Sequence, residues 1–141
     1  MIAVGHGVGY WVAKKVRGFY HEESSQAIGI LKEGEPKAGV IYENVNGVSC
    51  TCHIAIECTL TPRFIATIFD YPFTFLGLEK IIAPIGEGND ESINLVEHMG
   101  FIQEARIRNA HPDGSLLIYT MHRSKCRFTQ DRFRSLVHGK R

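Results

Sequence analysis

Three apolar runs stand almost end to end at residues 26–31, 37–45 and 48–57, and they constrain what this 141-residue chain can fold into more than any other feature. They are separated by "KEGEP" and by the pair Asn46-Gly47. Short apolar runs punctuated in this way read as hairpins, and Asn-Gly is the strongest short signal for a two-residue turn. The spacing therefore predicts an antiparallel meander. A sheet with an apolar face has to bury that face against another layer.

The covering elements flank the meander. In "TLTPRFIATIFDYPFTFLGL" Thr61 suits a helix cap, Pro62 the first helical position and Gly77 the end. Phe64, Ile65, Ile68, Phe69, Phe73, Phe75 and Leu76 cover more than one helical face, which predicts deep burial. Pro72 removes an internal hydrogen bond and predicts a kink near Ile68 to Asp70. "EKIIAPI" reads as a strand buried on both faces. In "GNDESINLVEHMGF", Asn89 or Asp90 caps a helix, Ile93, Val96 and Met99 form its apolar stripe, and Gly100 stops it.

"FIQEARIRN", the turn "HPDG" and "SLLIYTMHR" then form a closing hairpin. Ahead of the meander, Val12, Val16 and Phe19 at helical spacing beside Lys14, Lys15 and Arg17 predict a short amphipathic helix. "GHGVG" at 5–9 imitates a phosphate-binding glycine loop, but too few residues precede it for the strand that such a fingerprint needs. It reads as a lead-in to the helix. The order is helix, three strands, helix, strand, helix, two strands: a mixed α/β layer around one sheet, in one domain over 1–141.

Four cysteines raise the question of a metal. In "VSCTCHIAIEC" strand alternation puts Cys50 and Cys52 on one face with Val48, Ile54 and Ile56, the core face, where a reduced thiol acts as a small hydrophobe. The paired Cys and His spacings of a zinc site are missing. No apolar run reaches the roughly 20 residues of a membrane span, and the N-terminal residues lack the order of a secretory signal, so a cytoplasmic location is expected. Net charge is +1, yet residues 123–141 hold seven Lys or Arg against Asp131. Such a basic tail can attract nucleic acid, but a solvated end is the plainer reading, and nucleic-acid and membrane partners are not expected.

From Arg63 to Phe128 the sequence resembles the GCN5-related N-acetyltransferases (GNAT), and within them the ribosomal-protein N-terminal acetyltransferases and their phage- and prophage-encoded relatives. The ordered set carries the resemblance: a helix ending in "FLGLEKI", a strand, Asn89-x-x-Ser92, "HMGF", then "ARIRN", "DGS" and "IYTMHRSKCRF". It implies the GNAT acyl-CoA N-acyltransferase fold, a single mixed and mainly antiparallel sheet flanked by helices. It further implies acetyl-CoA as acyl donor, a primary amine of a protein or small molecule as acceptor, no metal, and pairing into a homodimer through sheet edges. For a phage-encoded chain the compartment would be the host cytoplasm.

Site residues follow from the same resemblance. The family holds the CoA diphosphate on backbone N–H groups at a helix start, here Cys58, Thr59, Leu60, Thr61 and Arg63. Its pattern of a basic residue and glycines falls on Ile56, Thr59 and Thr61, so hydroxyls and Arg63 would stand in for glycine and charge. Asn89 matches an asparagine that contacts the pantetheine arm, and Ser92 a hydroxyl near the thioester sulfur. Many members carry a tyrosine acid where this chain has Val96, leaving Ser92 or water to protonate the thiolate. Glu57 and His53 share the strand face opposite Cys50, and Glu57, at the strand end, is the expected base acting through a water. His53 has the bland reading of a hydrogen-bonded core histidine, and Tyr119 that of a packing residue. The alternative for the whole chain is a GNAT-fold protein that has lost catalysis and serves as a binding or structural module.

Overall fold

The structure, a computed structural model, describes residues 1–138. Its elements run β1 (Ile2–Val4), α1 (His6–Val16), β2 (Gln26–Lys32), β3 (Glu35–Glu43), β4 (Ser49–Ile56), α2 (Pro62–Asp70), β5 (Lys80–Gly86), α3 (Asp90–Met99), β6 (Ile102–His111), β7 (Gly114–His122) and α4 (Asp131–His138). Seven strands form one sheet in the order β1-β2-β3-β4-β5-β7-β6, and every pair is antiparallel except β4 with β5. The expected mixed, mainly antiparallel sheet is thus present. To the expected elements the structure adds β1 at one edge and α4 at the end. No helix among the described residues is long and apolar enough to cross a membrane.

The meander's turns differ from expectation. The two-residue turn is Glu33-Gly34, both with positive φ (54° and 80°), between the paired Lys32 and Glu35. Asn46-Gly47 instead lies in a longer connection between Glu43 and Ser49. There the Asn46 side-chain oxygen accepts the N–H groups of Val48 and Ser49 at 3.0 and 2.8 Å, a local bond that competes with a tight hairpin. The Val48 carbonyl accepts from Glu79 and Lys80, so Val48 joins the start of β5 to the meander and is exposed rather than in the core face.

Two layers cover the sheet. On one face α1 lies across β2, β3 and β4, with Val8, Val12 and Ala13 packed on Ala27 and Ile41. It comes very close, because the paired Gly29 and Gly39 leave room: a Cβ on either would lie 2.6 Å from Val8. The "GHGVG" stretch belongs to this helix and its cap, and Gly9 makes room for the Tyr20 ring. Phe19 falls beyond the helix end and is exposed; Tyr20 is buried in its stead. Because α1 stops at β4, Ile82 and Pro84 of β5 are only half-buried, not covered on both faces as the unbroken apolar run suggested.

On the other face the main core gathers Ile28, Val40, Tyr42, Cys50 and Ile81 beneath Phe64, Ile68 and Phe69 of α2 and Val96 and Met99 of α3. Phe128 stacks on Phe69 at 4.9 Å and meets Phe133 of α4 edge-on, and His138 contacts Asp70 at 2.7 Å. The basic segment is therefore folded against α2 as far as His138, while Lys140 and Arg141 lie outside the described residues.

Pro72 acts as the sequence implies, in altered form. The α-helix ends at Asp70 and continues as one wide turn, Tyr71–Phe75. Proline has no N–H to give Ile68, and the buried Tyr42 hydroxyl donates to that carbonyl instead. The wide turn swings Phe75 outward, where it is exposed and stacks on Tyr71. Tyr42→Phe is expected to strand this carbonyl and lower the unfolding free energy by about 1–3 kcal/mol, measured by urea denaturation; an unchanged midpoint would refute the bond's role.

Candidate active site

The parallel strands β4 and β5 pair only at Ser49–Thr51 with Lys80–Ile82. Beyond that point Cys52–Ile56 and Ala83–Gly86 part. Pro84 lies in the parted stretch, where the lack of a donor costs no ladder bond to β4. At the tip of β5 the His111 ring, carried by the β6–β7 turn, occupies the space a Gly86 side chain would take (2.4 Å to a built Cβ). The parting leaves a cavity of about 300 Å³ lined by His53, Ile54, Pro84, Asn89, Ser92 and His111 among others.

Two openings adjoin it. A cleft of about 190 Å³ runs along the outer half of β4 beside α3, past Ile54, Glu57, Ser92 and Leu95. A groove of about 490 Å³ lies between the end of α1 and the β6–β7 turn, past Lys15, Arg17, Asn89, His111 and Asp113. Asn89, not Asp90, caps α3, and its side-chain oxygen accepts the Ser92 N–H at 3.2 Å. That cap sets Ser92 at the junction of cavity and cleft.

The corner joining β4 to α2 is open. Thr59, Thr61, Pro62 and Arg63 are exposed, and Cys58 and Leu60 are half-buried against the core. Thr61 caps α2 by accepting the Phe64 N–H at 3.1 Å. The Glu57 N–H donates to Lys37, whereas those of Cys58, Thr59 and Leu60 meet no protein acceptor among the described residues. Glu57, Asn89 and Ser92 therefore share one cleft, whereas Cys58, Thr59, Leu60, Thr61 and Arg63 follow Glu57 along the chain and line neither the cleft, the cavity nor the groove.

The polar groups around the cavity are paired in ways the sequence did not disclose. Glu57 lies 2.6 Å from the Lys15 ammonium of α1 and lines the cleft but not the cavity. His53 Nε2 lies 2.7 Å from Glu43 on β3, and His53 lines the cavity itself. The Tyr119 hydroxyl donates to Glu97 at 2.8 Å; burial, then that carboxylate, holds its phenol above the ordinary value. Val96, where the resemblance expects an acid, is buried. Lys15, Arg17, Glu43 and His111 were missed: none stands in a motif, and only the fold brings them together.

Cys50, Cys52 and Cys126 are buried free thiols, and Cys58 is half-buried. Burial pushes Cys50 up to about 11 and Cys52 further still. A thiol kept neutral is a poor nucleophile, which fits Cys52, at the cavity wall, as a packing residue.

No protein-family model matches this sequence, and no curated protein matches it in sequence. Solved structures do match the fold. A spermidine N-acetyltransferase from Vibrio cholerae, solved with CoA and spermine, superposes with a TM-score of 0.62 at 20% identity, over 82% of this chain and 74% of that one. The Campylobacter jejuni N-acetyltransferase PseH, solved with acetyl-CoA, gives 0.53 at 14% identity, over 71% and 69%. A protein described as a probable acetyltransferase gives 0.59 at 19% identity, over 72% of this chain, which spans only 63% of that protein's length. The fold is that of the GNAT acetyltransferases.

The buried thiols make a measurable prediction. Since Cys50 titrates higher folded than unfolded, its contribution to stability is complete below the unfolded thiol value of about 8.5 and is lost as pH climbs from there toward about 11. In native protein at pH 8 a thiol-specific dye is expected to label Cys58 ahead of Cys50, Cys52 and Cys126. Equal labelling of all four would contradict the burial.

Proposed function

We propose that this protein is an acyl-CoA-dependent N-acyltransferase that moves acetyl from acetyl-CoA to a primary amine. The parting of β4 and β5, with a cleft along β4 as far as Glu57, the residue before the unpaired amides of the β4–α2 corner, carries this reading. The corner amides, the α2 start and Arg63 would hold the diphosphate, since a helix start with free N–H groups attracts anions. Thr59 is exposed to donate its hydroxyl, and Thr61, although it caps α2, keeps its own proton to donate. The pantetheine arm would follow β4 past Asn89, putting the thioester in the parted stretch beside Ser92.

The amine would enter from the opposite side, through the groove between α1 and the β6–β7 turn. It must lose a proton before it attacks. Glu57 is held by the Lys15 ammonium and lines the cleft but not the cavity, so it stands off from the parted stretch where the thioester would lie. His53 is better placed: it lines the cavity, and its contact with Glu43 at 2.7 Å fixes the ring. Glu57 and Lys15 then form the cleft wall. Attack on the thioester carbonyl gives a tetrahedral intermediate, and its collapse expels CoA thiolate, which takes a proton from Ser92 or water. The matched structures include a spermidine N-acetyltransferase and an N-acetyltransferase solved with acetyl-CoA, which lend this reading its chemistry.

Acetyl-CoA at 100 times its dissociation constant is expected to stabilise the protein by about 2.7 kcal/mol, seen as a rise in melting temperature. No rise at millimolar acetyl-CoA would favour the non-catalytic module. With binding established, His53→Gln is expected to cut kcat by about 100-fold, and Glu57→Gln by much less. The reverse order would return the base to Glu57.

A further inference from the structure

The charge around the amine entry is unbalanced in one direction. No Asp or Glu lines the cavity where β4 and β5 part. Three carboxylates nearby are engaged: Glu57 by Lys15 at 2.6 Å, Glu87 by Arg106 at 2.6 Å, and Glu43 by His53 at 2.7 Å. Glu91 lines the cleft and not the cavity or the groove. Asp113 in the groove faces His111 at 3.8 Å, and its backbone N–H donates to that ring. Arg17 is the exception. It lines both the cavity and the groove, and its guanidinium meets no carboxylate and no hydrogen-bond acceptor among the described residues.

The backbone at Arg17 is a second, separate observation. Arg17 closes α1 in the left-handed region (φ 58°, ψ 38°), a position that helices usually give to glycine or asparagine. Glycine stands one residue further on, at Gly18, whose N–H donates to the Ala13 carbonyl at 2.9 Å. A long cation is thus kept where a small residue would fold more cheaply. Strained positions that persist tend to sit at functional sites.

We infer that the acceptor amine carries an acidic group, a carboxylate or a phosphate, a few atoms from its nitrogen, and that Arg17 receives it. This rests on the acyltransferase reading for the role of the groove. A planar guanidinium gives either anion two parallel hydrogen bonds, which positions the amine at the other end of the molecule. The same charge disfavours a polycation. A polyamine would have to place its second ammonium beside Arg17 with only Asp113 of the groove to offset it, so this chain would differ in acceptor from the spermidine enzyme whose fold it shares.

The experiment compares matched amines as acceptors, following CoA release with the full chain: β-alanine and O-phosphoethanolamine against propylamine, with spermidine as the polycation. The acidic amines are expected to exceed propylamine in kcat/KM by at least about 10-fold, mostly through KM, since one charge-assisted contact is worth that factor. Spermidine is expected to be the poorest. The carboxylate and phosphate arms tell the two anions apart. Arg17→Gly, which suits the left-handed backbone, is expected to collapse the ratio toward one, and Arg17→Lys to restore part of it. Spermidine as the best acceptor, or a ratio unchanged in Arg17→Gly, would overturn the proposal.

Failure of the transferase reading looks different: no amine is acetylated and acetyl-CoA does not stabilise the protein. The acidic-acceptor proposal is then decided by binding alone, with O-phosphoethanolamine and β-alanine titrated by calorimetry into wild type and Arg17→Gly. Binding that the variant loses supports it, and absent or equal binding overturns it.

Discussion

A parallel pair of strands that begins together and then separates is the constraint from which the rest of this structure follows. Pairing of β4 with β5 ends at Thr51 and Ile82, and past that point the backbone groups that face the gap lose a partner that a continuous sheet would supply, while those facing β3 and β7 stay paired. Buried backbone donors and acceptors without partners are costly, so an opened sheet has to admit water or a ligand between its strands. Pro84 and Gly86 ease the opening, one by having no donor, the other by leaving space for the His111 ring. The cavity is a consequence of broken pairing, and the helices on either side decide what can reach it.

The two sides are built differently. On one, α1 lies so close that Gly29 and Gly39 cannot bear side chains, which fixes the direction in which the helix ends and so where Lys15 and Arg17 emerge. On the other, α2 and α3 share a thick aromatic core, and the start of α3, capped by Asn89, lies at the cleft, while that of α2, capped by Thr61, follows the end of β4. One side therefore offers side-chain cations and the other main-chain donors. That division lets an anionic donor and a separate acceptor approach the same gap from different directions.

Much of the fold was legible because its signals are local. Apolar alternation marked the meander, Asn89 and Gly100 bracketed α3, and Pro72 announced the end of regular helix in α2. The misreadings came where a distant partner overrode a local rule. Asn-Gly did not form the tight hairpin because Val48 is held by Glu79 and Lys80 of another segment, and Phe19 was displaced by Tyr20, for which Gly9 leaves room. Helix α4 was hidden in a polar, basic stretch whose apolar partners, Phe69 and Phe128, lie on other elements. The site divides along the same line: Asn89 and Ser92 could be found from a helix cap, but Lys15, Arg17, Glu43 and His111 come from unrelated parts of the chain and meet only after folding.

His111 reaches the cavity from a hairpin at the outermost edge of the sheet, where β6 is exposed along nearly its whole length and its register with β7 slips twice. Little of the core rests on β6 or on the turn, in contrast to β7, whose Leu117, Tyr119 and Met121 belong to it. The hairpin tip can lengthen, shorten or exchange residues over evolutionary time at small cost to stability, and each such change would redraw one bank of the groove. A lineage using this scaffold could reshape that bank while the side built by α2 and α3 stayed as it was.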